Sequence, residues 1–201
     1  RNDMYRANAQ RAKAQSRFAD YHDYLLSLEM TAEIGDFSPL YLQRITQLTN
    51  KSNQFNLTTK RYTAEQMEAV YNSDEYIRLY GKLYDKFGDN GVVAVTIGKT
   101  DSEDKGRLDI ELWLMSCRVL KRDMEFAMLD SLVAQAKKRG IREIYGHYYP
   151  TAKNKMVAGL YESFGFEKIS QDEEGNTAWR LLVEGYEDKN TVIKVKEEHY
   201  A

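Results

Sequence analysis

The sequence predicts an α/β (α+β) domain: a mixed central sheet with helices on both faces, preceded by an N-terminal linker helix. Three observations predict it. After Tyr76 the apolar residues change from a helical period to strict alternation, as when helices give way to strands. A helical pattern over residues 124–139 lies between two strand patterns, and such a crossover joins parallel neighbours. Turn signals at residues 88–91 and 174–176 join other strands as antiparallel hairpins.

The elements follow in order. Residues 4–28 are expected to form one helix, with Phe18, Tyr21, Leu25 and Leu28 at helical spacing. A short strand follows, with Met30, Ala32 and Ile34 on one face. Ser38-Pro39 has the form of an N-cap with proline at the first helical position, and the next helix buries Leu42, Ile45 and Leu48. Thr63 and Gln66 have capping-box spacing and open a further short helix through Val70 and Tyr71.

Two long strands then meet at "GDNG", where Asn-Gly favours positive φ. In "LDIELWLM" regular alternation puts Leu108, Ile110, Leu112 and Leu114 on one face. It puts Asp109, Glu111, Trp113 and Met115 on the other, with Cys117 to follow them. The crossover helix carries Phe126, Leu129, Leu132, Val133 and Ala136 on one stripe, basic residues in its last turn and Gly140 as its stop. A strand, "IREIYGHYY", precedes a helix over "TAKNKMVAGLYESF", which Gly165 ends. A hairpin closes the domain, and the tail over 187–201 is charged and expected to be loosely held.

Composition narrows the function classes. A chain of 201 residues with 42% apolar residues suits one domain with a real core. The net charge of −2 and scattered basic residues argue against nucleic acid as a partner. No apolar run reaches the roughly 18 residues of a membrane span, so no membrane partner is expected. A single cysteine fits a reducing, cytoplasmic setting, and four dispersed Cys and His residues argue against a zinc site. The first residue is arginine, and an uncapped helical pattern follows directly. The chain is therefore expected to be a fragment or excised domain, residues 1–28 linking it to an upstream one.

Several motifs carry a resemblance. The order of elements is similar to that of the GNAT acyltransferase fold. "NKMVAGLYESFGF" at residues 154–166 resembles that family's asparagine-to-tyrosine helix, and "CRVLKRDME" lies where the family has its pyrophosphate-binding loop. Arg118 matches the loop's first position, with Arg122 beside it, but Lys121 and Asp123 stand at its glycine-type positions. Glycines there let backbone N–H groups approach a pyrophosphate. Their replacement weakens the case for coenzyme A held in the usual way.

Four further stretches resemble the FkbH-like family: "LTNKSNQFNLTTKRYT" at 48–63, "FGDNG" at 87–91, "WLMSCRVLKRD" at 113–123 and "YYPTAKN" at 148–154. Its members join a HAD-type phosphatase domain (HAD superfamily subfamily IIIC) to a C-terminal GNAT-like domain. They are associated with loading a glyceryl unit from 1,3-bisphosphoglycerate onto an acyl carrier protein, on the route to methoxymalonyl-type extender units. The resemblance implies a GNAT-like domain over 29–186, an upstream HAD-type domain, and an acyl carrier protein as partner. It implies a carrier's phosphopantetheine or a CoA thioester as the thiol group handled, with no cofactor otherwise specified. The Asp-x-Asp phosphatase motif does not occur in this chain.

Each candidate residue has a bland reading beside the chemical one. Cys117 is either a small core residue or a nucleophile. In a GNAT-like sheet its strand splays from the parallel neighbour and the acyl group passes through that gap. On that reading Cys117 is reached from a pocket between the strands, near a helix N-terminus that favours thiolate over thiol. Tyr161 corresponds to the tyrosine that protonates the departing thiolate in GNAT enzymes, or it packs on the sheet. His147 is expected near the end of the strand next to Cys117, within reach of it, or merely satisfies local hydrogen bonds. Asn53, Gln54, Asn56 and Thr58 line a polar pocket for a hydroxylated acyl group, or serve their own loop backbone. Asn154 holds an acyl or pantetheine amide, or caps its helix. Arg118, Lys121 and Arg122 are the cations expected to face a pyrophosphate.

Overall fold

The computed structural model describes residues 2–197. Its strands are β1 (Met30–Gly35), β2 (Tyr76–Asp85), β3 (Gly88–Thr100), β4 (Arg107–Met115), β5 (Glu143–Tyr148), β6 (Glu167–Gln171), β7 (Thr177–Leu182) and β8 (Ile193–Glu197). They form one eight-stranded sheet in the order β6-β7-β5-β4-β3-β2-β1-β8. The sheet is mixed, with β4 parallel to β5 and β1 parallel to β8. Helices α3 (Pro39–Lys51) and α4 (Ala64–Tyr71) cover one face, packing Ile45, Leu48, Met67 and Val70 on Leu112 and Leu114. On the other face, α5 (Met124–Lys138) and α6 (Leu160–Ser163) pack Met128, Leu132 and Tyr161 on Leu108, Ile110 and Trp113. Among the described residues, no helix is long and apolar enough to cross a membrane.

Local signals set several elements as expected. Thr63 and Gln66 form the capping box that starts α4, and Pro39 opens α3. Gly140 and Gly165 take positive φ at the helix stops.

Five expectations are corrected. The single helix over 4–28 is two, α1 (Asn2–Gln15) and α2 (Tyr21–Ser27). Asp20 breaks it: its backbone is extended and its side chain accepts from the His22 N–H, which starts a new helix. Phe18 and Tyr21 stay partly exposed as a result, while Leu25 and Leu28 enter the core.

The expected turn at 88–91 lies earlier, at Lys86 and Phe87, between the paired Asp85 and Gly88. Asp85 Oδ1 accepts from the Phe87 and Gly88 N–H groups and so bends the chain before "GDNG" is reached.

The helix over 151–164 is broken into a 3-10 turn, Lys155–Val157, and the short α6. Asn154 and Gly159 precede these pieces without a side-chain cap, and Asn154 is committed elsewhere.

The tail beyond Glu187 is not loose where it is described. β8 pairs with β1, and its Ile193 and the preceding Val192 are buried. Asp130 on α5 accepts from Tyr186 Oη and from the N–H groups of Lys189 and Asn190, anchoring the approach to β8. Residues 198–201 of that tail, and Arg1, lie outside the described residues.

The fifth correction bears most on the site. β4 does not alternate throughout. Ile97 pairs with Leu112 and Gly98 with Ile110, so Glu111 is an extra, bulged residue. A bulge reverses the parity of everything after it. Leu108 and Ile110 therefore join Trp113 and Met115 on the α5 side, while Leu112 and Leu114 face α3 and α4.

Candidate functional site

β4 and β5 hold together only where Arg107–Asp109 meets Glu143–Tyr145. Beyond Asp109 they separate, which matches the expected splay. Their facing backbone groups then need other partners, because buried N–H and C=O groups left alone are costly. The chain supplies them from its own α3–α4 loop. Met115 N–H donates to the Phe55 carbonyl at 3.0 Å, and Leu57 N–H donates to the Trp113 carbonyl at 3.1 Å. Tyr149 N–H donates to the Leu57 carbonyl at 2.9 Å, and Thr58 Oγ1 donates to the Glu111 carbonyl at 2.6 Å. Phe55 and Leu57 are buried in the core on the α5 side. The gap is thus filled by a short pseudo-strand.

This accounts for most of the expected polar pocket. Asn56 is fully buried; its Nδ2 donates to the Ser52 carbonyl and its Oδ1 accepts from Thr59 N–H. Asn53 Nδ2 donates to the Lys51 carbonyl, and its Oδ1 accepts from Arg61. Thr58 is spent on β4. Asn154, also fully buried, donates from Nδ2 to the carbonyls of Asn56 and Tyr149 at 2.9 and 3.0 Å. Its Oδ1 accepts from Thr151 N–H. Asn154 is the staple between the pseudo-strand and the loop after β5, and neither an amide clamp nor a side-chain cap. Of the group, Gln54 is the exposed one.

Gln54 meets Cys117. The thiol is exposed at the start of the 3-10 turn Cys117–Val119, and Sγ donates to Gln54 Oε1 at 3.3 Å. Core packing does not explain it. Nor does it open into a pocket between the strands, because Phe55–Leu57 occupies that space. The expected face shared with Asp109, Glu111, Trp113 and Met115 is split by the bulge. Arg118 beside it is exposed. Burial first, and then the Arg118 charge, lower the pKa of Arg44 on α3.

His147 belongs to a different network. Its Nε2 lies 2.8 Å from Asp109 Oδ1, and its ring stacks on Tyr149. Arg107 holds both Asp109 oxygens at 2.9 Å and lies over the Tyr145 ring. Burial alone would raise the Asp109 pKa; the hydrogen bonds from His147 and Arg107 outweigh it and leave the carboxyl below its usual range. The pseudo-strand runs between β5, which carries His147, and β4, which leads to Cys117. Asp109 was not anticipated as a partner. The available signal was a charged first half of β4, in which Arg107, Asp109 and Glu111 alternate with Leu108 and Ile110.

Tyr161 is a core residue. Its ring packs on Gly146 of β5 so closely that a Cβ there would lie 2.3 Å from it. Phe166 and Trp179 flank the ring, and Oη reaches the His147 carbonyl at 3.5 Å. Burial pushes its pKa far above the usual tyrosine value. An acid catalyst must reach the reacting atoms, and this phenol is sealed under the sheet.

The loop before α5 keeps a glycine-like backbone without glycine. Lys121 and Asp123 have φ of 65° and 64°. Its surroundings, however, commit one of its cations inward and place carboxylates at the helix start. Arg122 is buried, its Nη2 donating to the Arg118 carbonyl and Nη1 lying 3.4 Å from Asp85. Arg11 of α1 grips the same Asp85 with bonds of 2.6 and 2.9 Å. Tyr21 of α2 donates to the Lys121 carbonyl. Asp123 and Glu125 occupy the helix N-terminus; burial first, and then the Asp123 charge, push the Glu125 pKa up to about 7. Of the three cations expected to face a pyrophosphate, Arg122 is committed inward, while Arg118 and Lys121 are exposed.

No family model matches the chain, and no curated protein does. Solved structures do. The ribosomal-protein-S18-alanine N-acetyltransferase of Escherichia coli superposes with a TM-score of 0.56 at 14% identity, covering 80% of this chain and 99% of its own. The protein yncA of Salmonella typhimurium, solved with its cofactor acetyl-CoA, gives 0.57 at 14% identity, covering 79% and 96%. The GNAT domain of PAT from S. lividans gives 0.57 at 15% identity, covering 74% and 89%. At such identities the likeness is one of architecture, and the chain has the fold of the GNAT acetyltransferases.

Proposed function

We propose that this domain transfers an acyl group, of the glyceryl type, to the thiol of an acyl carrier protein through a thioester on Cys117. The observation that carries the reading is the exposed Cys117 thiol, hydrogen-bonded to Gln54 at the open end of β4 and flanked by Arg118. In the first step the Cys117 sulfur, its proton released to solvent, attacks the acyl carbonyl carbon, and the donor's leaving group departs with the bonding electron pair. In the second the carrier's phosphopantetheine sulfur attacks the same carbon, and Cys117 leaves as the thiolate. The second step exchanges one thioester for another, and neither step changes an oxidation state, so no oxidant is required. Arg118 and Arg44 attract an acidic carrier or an acyl phosphate to this side of the molecule. The FkbH-like resemblance supplies the glyceryl unit, the carrier and an upstream HAD-type domain.

The test is intact-protein mass spectrometry of the chain incubated with a glyceryl or acetyl thioester of N-acetylcysteamine. A single hydroxylamine-labile adduct on Cys117 is expected, transferable to a carrier protein. Unimpaired carrier acylation by Cys117→Ala would remove the residue from the reaction.

A second reading is favoured by the filled β4–β5 gap: a docking module that binds the carrier without chemistry. Carrier binding with no Cys117 adduct would support it. A CoA-dependent N-acyltransferase agrees with the architecture. The filled gap and the carboxylates at the α5 N-terminus speak against it.

A further inference from the structure

We infer that Phe55–Thr58 is the donor-specificity element of this domain, a built-in strand that excludes any extended thioester arm, coenzyme A included, from the β4–β5 opening. The inference stands on the filled gap and not on the role of Cys117.

Two diverging strand edges are a receptor for an extended chain. Their free N–H and C=O groups bind it as an added strand, and the space between takes its alternate groups. A pantetheine arm is such a chain, extended and carrying two amides. Here the receptor already holds its ligand. Leu57 alone spans the gap: its N–H bonds β4 at Trp113 and its carbonyl bonds the end of β5 at Tyr149. Phe55 takes the Met115 N–H, and Thr58 takes the bulged Glu111 carbonyl.

Three features make the insertion a built one rather than a loop at rest. Leu57 has no exposed surface and Phe55 is 6% exposed. Asn154 and Asn56, both fully buried, lock the segment through side-chain bonds that no surface loop requires. Thr59 ends it with φ of 51°, a left-handed conformation that a β-branched residue avoids, held by the Asn56 side chain. An arm entering the gap must expel two core side chains and take over their hydrogen bonds. A carrier's phosphopantetheine meets the same barrier, so a thiol bound for Cys117 arrives along the outer surface past Gln54.

Calorimetric titration with acetyl-CoA, together with amide hydrogen exchange, tests this without touching Cys117. In the intact chain, Leu57, Met115 and Tyr149 amides should exchange as slowly as the central strands, with no acetyl-CoA binding tighter than about 1 mM. Asn154→Ala, and separately Leu57→Ala, should speed exchange at Leu57 and Met115 roughly tenfold or more and tighten acetyl-CoA binding by a similar factor. Rapid exchange at Leu57 in the intact chain would overturn the inference, and so would micromolar binding by it. A variant that opens by exchange and gains no affinity would overturn it as well. The measurements on the intact chain hold even if both variants fail to fold. Loss of the Cys117 adduct would bear on the proposed reaction and leave these measurements unaffected.

Discussion

The sheet has two parallel strand pairs, and they behave differently. β1 and β8 stay in register over five residue pairs. β4 and β5 pair over three and then part. The difference lies in β4. Its bulge at Glu111 turns the strand, and the Asp109–His147 contact lies close to the point of separation. β8 merely adds a strand at the sheet's margin. The diverging pair sits at the centre of the sheet and creates a need for hydrogen bonds that a remote loop satisfies. Irregularity at the centre of the sheet concentrates chemistry-bearing side chains; regular pairing at its margin does not.

The largest expected effect is at the open end of the diverging pair. Cys117→Ala should reduce acyl loading of a carrier to background. Its stability in a urea titration should change by no more than about 0.5 kcal/mol, as befits an exposed side chain. Next is the filling of the gap. Leu57→Ala should cost about 2–5 kcal/mol in the same titration, as for other fully buried leucines. Val195→Ala on half-buried β8 should cost roughly 1 kcal/mol. Equal costs would erase the contrast between the two pairs.

The crossover helix that carries β4 into β5 begins beside Glu125. Its folded pKa is raised to about 7, so its neutral form is favoured on folding. That contribution is full below the ordinary glutamate range and is lost as pH rises through about 7. Glu125→Gln should therefore gain on the order of 3 kcal/mol relative to the parent at pH 8 and little at pH 4. Thermal melts at the two values check it.

The smallest effect is where the strands part. Asp109 is held below its usual pKa, so its contribution is present above the ordinary carboxylate range and fades as pH falls through the folded value. The stability advantage of the parent over Asp109→Asn should thus be constant near neutrality and shrink below about pH 4. An advantage that instead grew below about pH 4 would contradict the Arg107 and His147 hydrogen bonds.

Much of this was legible in the chain. Alternation marks the strands, and the Thr63–Gln66 capping box and Pro39 mark helix starts, because these signals act between residues a few positions apart. The same locality explains why Cys117 was recognised at the exit of β4. It also explains the errors. A bulge leaves no mark in an alternating run until the partner strand is known, so the faces of Leu112 and Trp113 were exchanged. Tyr161 matched a motif, but its depth depends on Gly146 lying beneath it, and the pair is set by the packing of α6 on β5.

By itself the sequence determined the order of elements from β1 to β7, the mixed sheet with helices on both faces, and a lone thiol at a strand's end. Tertiary structure decided what each polar group does. Asn154 bonds Asn56 across 98 residues of chain, His147 bonds Asp109 across 38, and Arg11 bonds Asp85 across 74. Propensity and periodicity act within a helical turn or a strand. The partner of a buried amide or carboxylate is chosen only when distant segments are brought together, since it must be satisfied by whatever the closed core leaves within about 3 Å.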